Sequence, residues 1–429
     1  MSRGLGDVYK RQQPPLPQPG FAENKPRGLT PNGSALSDPA LGQTAAPRGW
    51  AVGAVAVSAD QHFATFFDSK LSQHMHDMGR IPIMHLLPGH ALPDSANGPD
   101  VPLIFRIAEM KQGDRVRLGI DLLTGDRGIS VWSASQTFTV SELTAPGGAA
   151  LNGLVAQTVI QMGRHLRRLA TQPEMAMAGQ LIECIYQIFE LSPDELTRAE
   201  TGLEALLKDQ PDAKTYAWMA FAKSFRIGQR FSPDATAQIT EAHYYASRAL
   251  EEDEYDPLVL SLAAHIHSYL FSEFDHAASL FERALKIDPE QAIGWDLYAT
   301  MHAYTGQNAK SLSMANWGQH LGGNTPLSYY FDTTKCMAAA LSGDHISAIE
   351  AGEKALAQRP GFNSILRYLI SSQAHLGNMA AVDALREKLH AVEPDFSTGV
   401  LRATGYPGLA TEGGHHFLSG LRKAGFDDK

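Results

Sequence analysis

The sequence predicts an α+β chain of several domains that is mostly α: a small α/β domain followed by an α-solenoid of stacked helix pairs. Three observations predict it. Gly343 and Gly377 stand thirty-four residues apart, as do Pro360 and Pro394. That is the period of a helix–turn–helix unit that cannot bury its apolar face without a neighbour. Ala277, Phe281, Ala284 and Pro289 follow at offsets 0, 4, 7 and 12, one face of a helix closed by a residue that cannot continue it. Ahead of the repeats, Val116, Leu118, Ile120 and Leu122 alternate with Arg115, Arg117 and Asp121, the two-residue period of a half-buried strand.

The 429 residues suffice for two or three domains with ample core. The opening, MSRGLGDVYKRQ, lacks the apolar stretch of a signal peptide. Asp7–Gln12 (DVYKRQ) reads as the conceptual translation of a sequencing adapter, so residues 1–12 are expected to be artefactual and the natural amino-terminal part missing. Residues 13–48 are rich in Pro, Gly, Ala and Ser, the composition of a disordered linker. Within 49–145, strands are expected at 50–57, 81–87, 102–110, 114–123 and 129–140. A helix carrying Phe63, Phe67, Leu71, Met75 and Met78 joins the first two. A connecting segment, 146–177, holds a helix at about 148–170.

The repeats occupy 178–395 as about six helix pairs. Going backward from Ala277, the small-residue spacing recurs at Ala242, Ala246 and Ala249, then at Ala199, Leu203 and Leu206 before Pro211. Going forward, Trp295 takes a large-residue position on a first helix and Gly306 a turn. Gly343, Ala348, Ala355 and Pro360 form the next unit, and Gly377 and Pro394 bound the last. Longer turns are expected near 226–235 and 321–326, and a capping segment at 396–429.

These units resemble the tetratricopeptide repeat, although no single one carries its full pattern. Residues 115–138 (RVRLGIDLLTGDRGISVWSASQTF) look like the stretch of TolB-like amino-terminal domains in which a strand ends in a D-x-x-T-G turn and resumes with a buried Trp, here Trp132. HHFLSGLRKAGFDD near the end resembles the capping helix of such proteins. Taken over 50–429, the resemblance implies the regulatory portion of a bacterial signal-transduction protein. Its parent would be a CadC-like winged-helix transcription regulator or, alternatively, a class III adenylate cyclase; a free-standing scaffold is the third reading.

Candidate chemistry is sparse. His74 and His76 flank Met75, a soft-ligand cluster, but residues i and i+2 of a helix point about 200° apart, which also separates His265 from His267. His415–His416 reads as a surface pair. Arg164, His165, Arg167 and Arg168 form a basic run expected to be a solvated helix face, and Glu251–Glu254 a surface turn. The only cysteines, Cys184 and Cys336, are expected to be buried free thiols. No phosphate loop, nucleophile elbow or zinc-ligand spacing is present, so no catalytic residue, metal or cofactor is assigned.

A net charge of −10 argues against broad binding to nucleic acid by these residues, though a missing amino-terminal domain could bind DNA. No apolar run spans a membrane, which leaves the cytoplasm as the expected location, or the periplasm if a transmembrane helix precedes. Oligomeric state is not legible. First helices of stacked pairs line a concave face. In this register the face holds Trp218, Leu262, Ile266, Tyr269, Asp296, Thr300, Tyr330, Met337 and Arg367, an aromatic groove suited to a peptide or protein partner.

Overall fold

The computed structural model describes residues 52–56, 62–79, 83–86, 103–125, 127–169, 173–231, 234–362 and 364–427. The segments expected to be an artefact (1–12) and a linker (13–48) lie outside them. Strands β1 (Val52–Ala56), β2 (Ile83–Leu86), β3 (Leu103–Gln112), β4 (Arg115–Thr124) and β5 (Ser130–Thr139) form one sheet in the order β2-β1-β3-β4-β5. β1 runs parallel to β2 and β3, whereas β3, β4 and β5 form an antiparallel meander. The parallel β1–β2 pair requires a crossover, and helix α1 (His62–Gly79) supplies it. The period-two pattern is realised: Phe105, Ile107, Leu118 and Ile120 join Phe67, Leu71 and Met75 of α1 in one apolar cluster. On the alternate positions Arg106 and Asp121 pair at 2.6 Å in solvent. Trp132, expected to be buried, is only half-buried, on the edge strand β5, of whose ten residues only Phe138 is buried.

After β5 the short helix α2 (Val140–Leu143) opens on a capping box between Thr139 and Glu142, and α3 (Ala149–Leu169) leads to the solenoid. Six helix pairs follow: α4 (Pro173–Ile188) with α5 (Pro193–Asp209), α6 (Ala213–Gly228) with α7 (Ala235–Glu252), and α8 (Pro257–Phe271) with α9 (Phe274–Ile287). Then come α10 (Ala292–Tyr304) with α11 (Asn308–Gly322), α12 (Ser328–Ser342) with α13 (His345–Gln358), and α14 (Ser364–His375) with α15 (Met379–Val392). Two helices finish the chain, α16 (Thr398–Ala403) and α17 (Glu412–Lys423).

Each pair turns through a residue of positive φ: Leu191, Arg230, Ser272, Gly306, Gly343 and Gly377. That left-handed residue is how a helix ends sharply and lets the next one fold back. Second helices stop two residues before Pro211, Pro289, Pro360 and Pro394, since proline lacks the N–H and crowds the residue ahead of it. Ala242, Ala246, Ala277, Ala284, Ala348 and Ala355 are fully buried, so the paired helices approach closely where the spacing predicted.

Two sets of contacts make one body of these parts. The α/β domain docks into the solenoid through α1 and α3, and a single apolar cluster runs from Ala64 to Ala424. The solenoid also closes on itself. Tyr329 of α12 donates its hydroxyl proton to the Phe189 carbonyl beyond α4, and Arg359 pairs with Glu190 at 3.0 Å. Arg230 meets Glu393 at 3.4 Å.

Candidate functional site

First helices of five successive pairs converge on a cavity of about 140 Å³ on the concave side. Tyr269 (α8), Thr300 (α10), Tyr330 and Met337 (α12) and Arg367 (α14) line it, five of the nine residues that the repeat register named. The other four lie behind this surface. Leu262 and Ile266 are fully buried among neighbouring first helices, and Trp218 packs edge-on against Phe189 and Phe221. Asp296 is fully buried and accepts a 2.9 Å hydrogen bond from Thr334. The register identifies the inward side of a helix. How tightly neighbouring helices draw together decides which inward residues still meet the cavity.

Residues outside the register complete the wall: Phe225, His265, Tyr304, Thr333, Tyr368 and Tyr406. Tyr304 and Tyr368 fall on first helices and were within reach of the same pattern. Tyr406 comes from the capping segment and carries no periodic signal. Its hydroxyl lies 2.7 Å from that of Tyr368.

The cavity is polar but almost without net charge. Burial holds the Tyr304, Tyr330 and Tyr368 hydroxyls well above their usual pKa, and it pushes His265 down to about 4. Burial also raises Asp296, behind the wall, well above the usual carboxylate pKa, with the Thr334 hydrogen bond opposing the shift. Arg367 is the exception. Glu393 holds its guanidinium in a hydrogen bond, with the Phe396 and Tyr406 rings 5.4 and 5.7 Å away. Neutral hydroxyls and aromatic faces thus surround one neutralised cation.

A second cavity, of about 150 Å³, lies where α1 and α3 meet the solenoid. Tyr330 lines both cavities and therefore stands between the concave face and the docked domain. The docking is built from buried polar contacts. Fully buried Lys214 donates to the carbonyl of His76 at the end of α1 and pairs with Asp256 at 3.2 Å. Lys70 of α1 reaches Glu290 at 2.8 Å and Asn152 at 3.1 Å, and Asn152 donates to the Leu321 carbonyl. A Cβ on Gly153 would sit 2.4 Å from the Asn324 oxygen, so α3 lies directly against the longer 321–326 turn. Burial raises Asp77 in this cluster to about 7, with Lys214 opposing the shift and Asp288 and Asp256 adding to it.

The remaining candidates separate clearly. His74 and His76 lie on helix α1, two residues apart as expected. His265 stacks on Tyr269 at 5.4 Å and His267 bonds Glu273 at 2.7 Å. Arg164, Arg167 and Arg168 are exposed, and Arg167 pairs with Glu183. Both cysteines are buried free thiols, with burial pushing Cys184 to about 12 and Cys336 also upward. His416 departs from the sequence expectation: it is half-buried beside His345 and His375, whereas its neighbour His415 is exposed.

The geometry defines the class of the molecule, a tetratricopeptide-like α-solenoid carrying a small α/β domain. No family model matches the chain, and no curated protein matches it. Among solved structures it is similar to PilW, a type IV pilus biogenesis factor, at 18% identity over 49% of this chain and 92% of that one, with a TM-score of 0.35. A tetratricopeptide repeat protein from Parabacteroides merdae gives 14%, 62%, 93% and 0.32 for the same measures. Yeast Tom70 gives 12%, 66%, 61% and 0.33. No helix of the described residues is long and apolar enough to cross a membrane.

Proposed function

We propose that this chain is the non-catalytic regulatory portion of a bacterial signal-transduction protein, and that its concave face binds a protein or peptide partner. The observation that carries this reading is the convergence of Tyr269, Thr300, Tyr330, Met337 and Arg367 from four first helices on one cavity. Aromatic and hydroxyl groups dominate its wall, which favours peptide backbone and apolar side chains over phosphate or nucleic acid. The TolB-like reading of residues 49–145 rests on the strand–helix–strand-plus-meander order and on the 115–138 stretch. With it comes the parent: a winged-helix transcription regulator, or alternatively a class III adenylate cyclase.

Two experiments test this. Peptides selected from a displayed random library on the purified chain are resynthesised and their affinity measured by fluorescence anisotropy. Thr300→Arg and Met337→Arg fill the cavity and should weaken binding at least tenfold, while Arg106→Ala on the exposed sheet face leaves it unchanged. Equal binding by all variants would remove the concave face from the reading. Genomic sequence upstream of residue 13 decides the parent. A basic winged-helix pattern supports the regulator, paired metal-binding aspartates in a cyclase-like domain replace it with the enzyme, and a start codon just upstream leaves a free-standing scaffold.

A further inference from the structure

Three histidines from three helices meet at the last two repeats, where the capping helix packs against their first helices. His345 begins α13, His375 ends α14 and His416 lies on α17. One ring nitrogen from each lies within 4.8 Å of the other two. His345 and His416 face edge to edge with their Nε2 atoms 2.9 Å apart, and His375 stacks over His416 with ring centroids 4.0 Å apart.

The hydrogen bonds leave ligand lone pairs available. His375 Nε2 stands 2.9 Å from the His416 carbonyl, which only accepts, so Nε2 is the donor and Nδ1 keeps its lone pair, which faces the Lys423 ammonium. A hydrogen bond from the other ring nitrogen to a carbonyl selects the tautomer of a metal-binding imidazole. The Nε2 atoms of His345 and His416 face each other across 2.9 Å, a hydrogen bond that metal binding would replace. His345 Nδ1 has no partner among the described residues. We propose that His345, His375 and His416 bind a divalent metal ion of borderline softness, of the zinc class, which pins capping helix α17 to the last two helix pairs.

Imidazole is the ligand such ions share, and three protein nitrogens with a fourth, open position form a known zinc arrangement. Tetrahedral ligation at about 2.0–2.1 Å needs nitrogens about 3.3 Å apart. His345 and His416 are closer than that and must draw apart by about 0.4 Å. His375, whose ring lies nearly parallel to both at 4.0 and 4.6 Å between centroids, must turn about its Cβ–Cγ bond to aim a lone pair at the same point. Lys423 opposes it: its ammonium lies 3.1 Å from His375 Nδ1, on the lone pair the metal would use. Lys423 is exposed, so it can swing into solvent without disturbing the core. Asp344, beside His345 at the head of α13, offsets part of the added positive charge.

The test uses untagged full-length protein stripped with a chelator. Titrated Co²⁺ should give the intense visible bands of a tetrahedral nitrogen-rich site, saturating at one ion per chain and bleached by Zn²⁺. Zn²⁺ should raise the melting temperature. His416→Gln should weaken binding at least tenfold while His415→Gln, its exposed neighbour, leaves it unchanged. Lys423→Met should tighten binding severalfold, a gain that a misfolded variant cannot produce. No saturable one-to-one uptake, or His415→Gln losing as much as His416→Gln, would overturn the site.

Discussion

Single residues make three quantitative predictions. Asp77 has its carboxyl raised to about 7 from 3.8, chiefly by burial. Between those values the folded chain holds a proton that the unfolded chain has shed. Stability from this group is therefore complete below about pH 4 and lost as pH rises through 7. The loss is at most about 1.4 kcal/mol per pH unit. Asp77→Asn removes the titration, so its denaturant midpoint should fall less than that of the parent between pH 5 and 8; parallel curves would contradict this. Ser272 occupies a left-handed turn, φ 56, where Gly306, Gly343 and Gly377 have glycine. Ser272→Gly should stabilise by about 0.5–1 kcal/mol, and Gly343→Ala should destabilise by about 1 kcal/mol, both read from urea unfolding.

At the scale of elements, α1 is the one whose placement matters most. It is a crossover helix of the α/β domain and also packs against the amino-terminal ends of the solenoid's first helices, held by Lys214 and Lys70. Lys214→Met leaves Asp256 buried without its cation. Removing one member of a buried pair costs about 3–5 kcal/mol. Hydrogen exchange should then speed up in α1 and at the head of α8 while the middle of α10 stays protected. Uniform acceleration would show that docking and solenoid form one unfolding unit. The 321–326 turn has a similar double identity: it looks like an irregular insertion between repeats, and its reason is α3, which lies against it at Gly153.

Over the whole molecule, the closing contacts of Tyr329, Arg359 and Arg230 set this solenoid apart from an open array. Repeats in open arrays contact only their neighbours and unfold piecemeal. Here the first and fifth pairs touch, so helical signal and Trp fluorescence should follow one coincident unfolding transition. Tyr329→Phe leaves the Phe189 carbonyl without its donor, costs about 1–2 kcal/mol, and should separate the two curves. Two superimposed transitions in that variant would show that closure is not what couples the ends.

The periodic elements were legible in the sequence because their causes are local. Glycine permits a left-handed turn, proline stops a helix, and alternating or 3.6-residue apolar spacing selects strand or helix whatever surrounds it. Those signals determined the six helix pairs, the strands around 102–140 and the inward side of each first helix, and with it Tyr269, Thr300, Tyr330, Met337 and Arg367. Tertiary structure alone decided what depends on distance between segments far apart in the chain. It buried Trp218, Leu262, Ile266 and Asp296, brought Tyr406 into the cavity, closed the superhelix and seated α1 against the amino-terminal ends of its first helices. It also gathered His345, His375 and His416, which no spacing relates, because positions 30 and 41 residues apart meet only when the cap folds back.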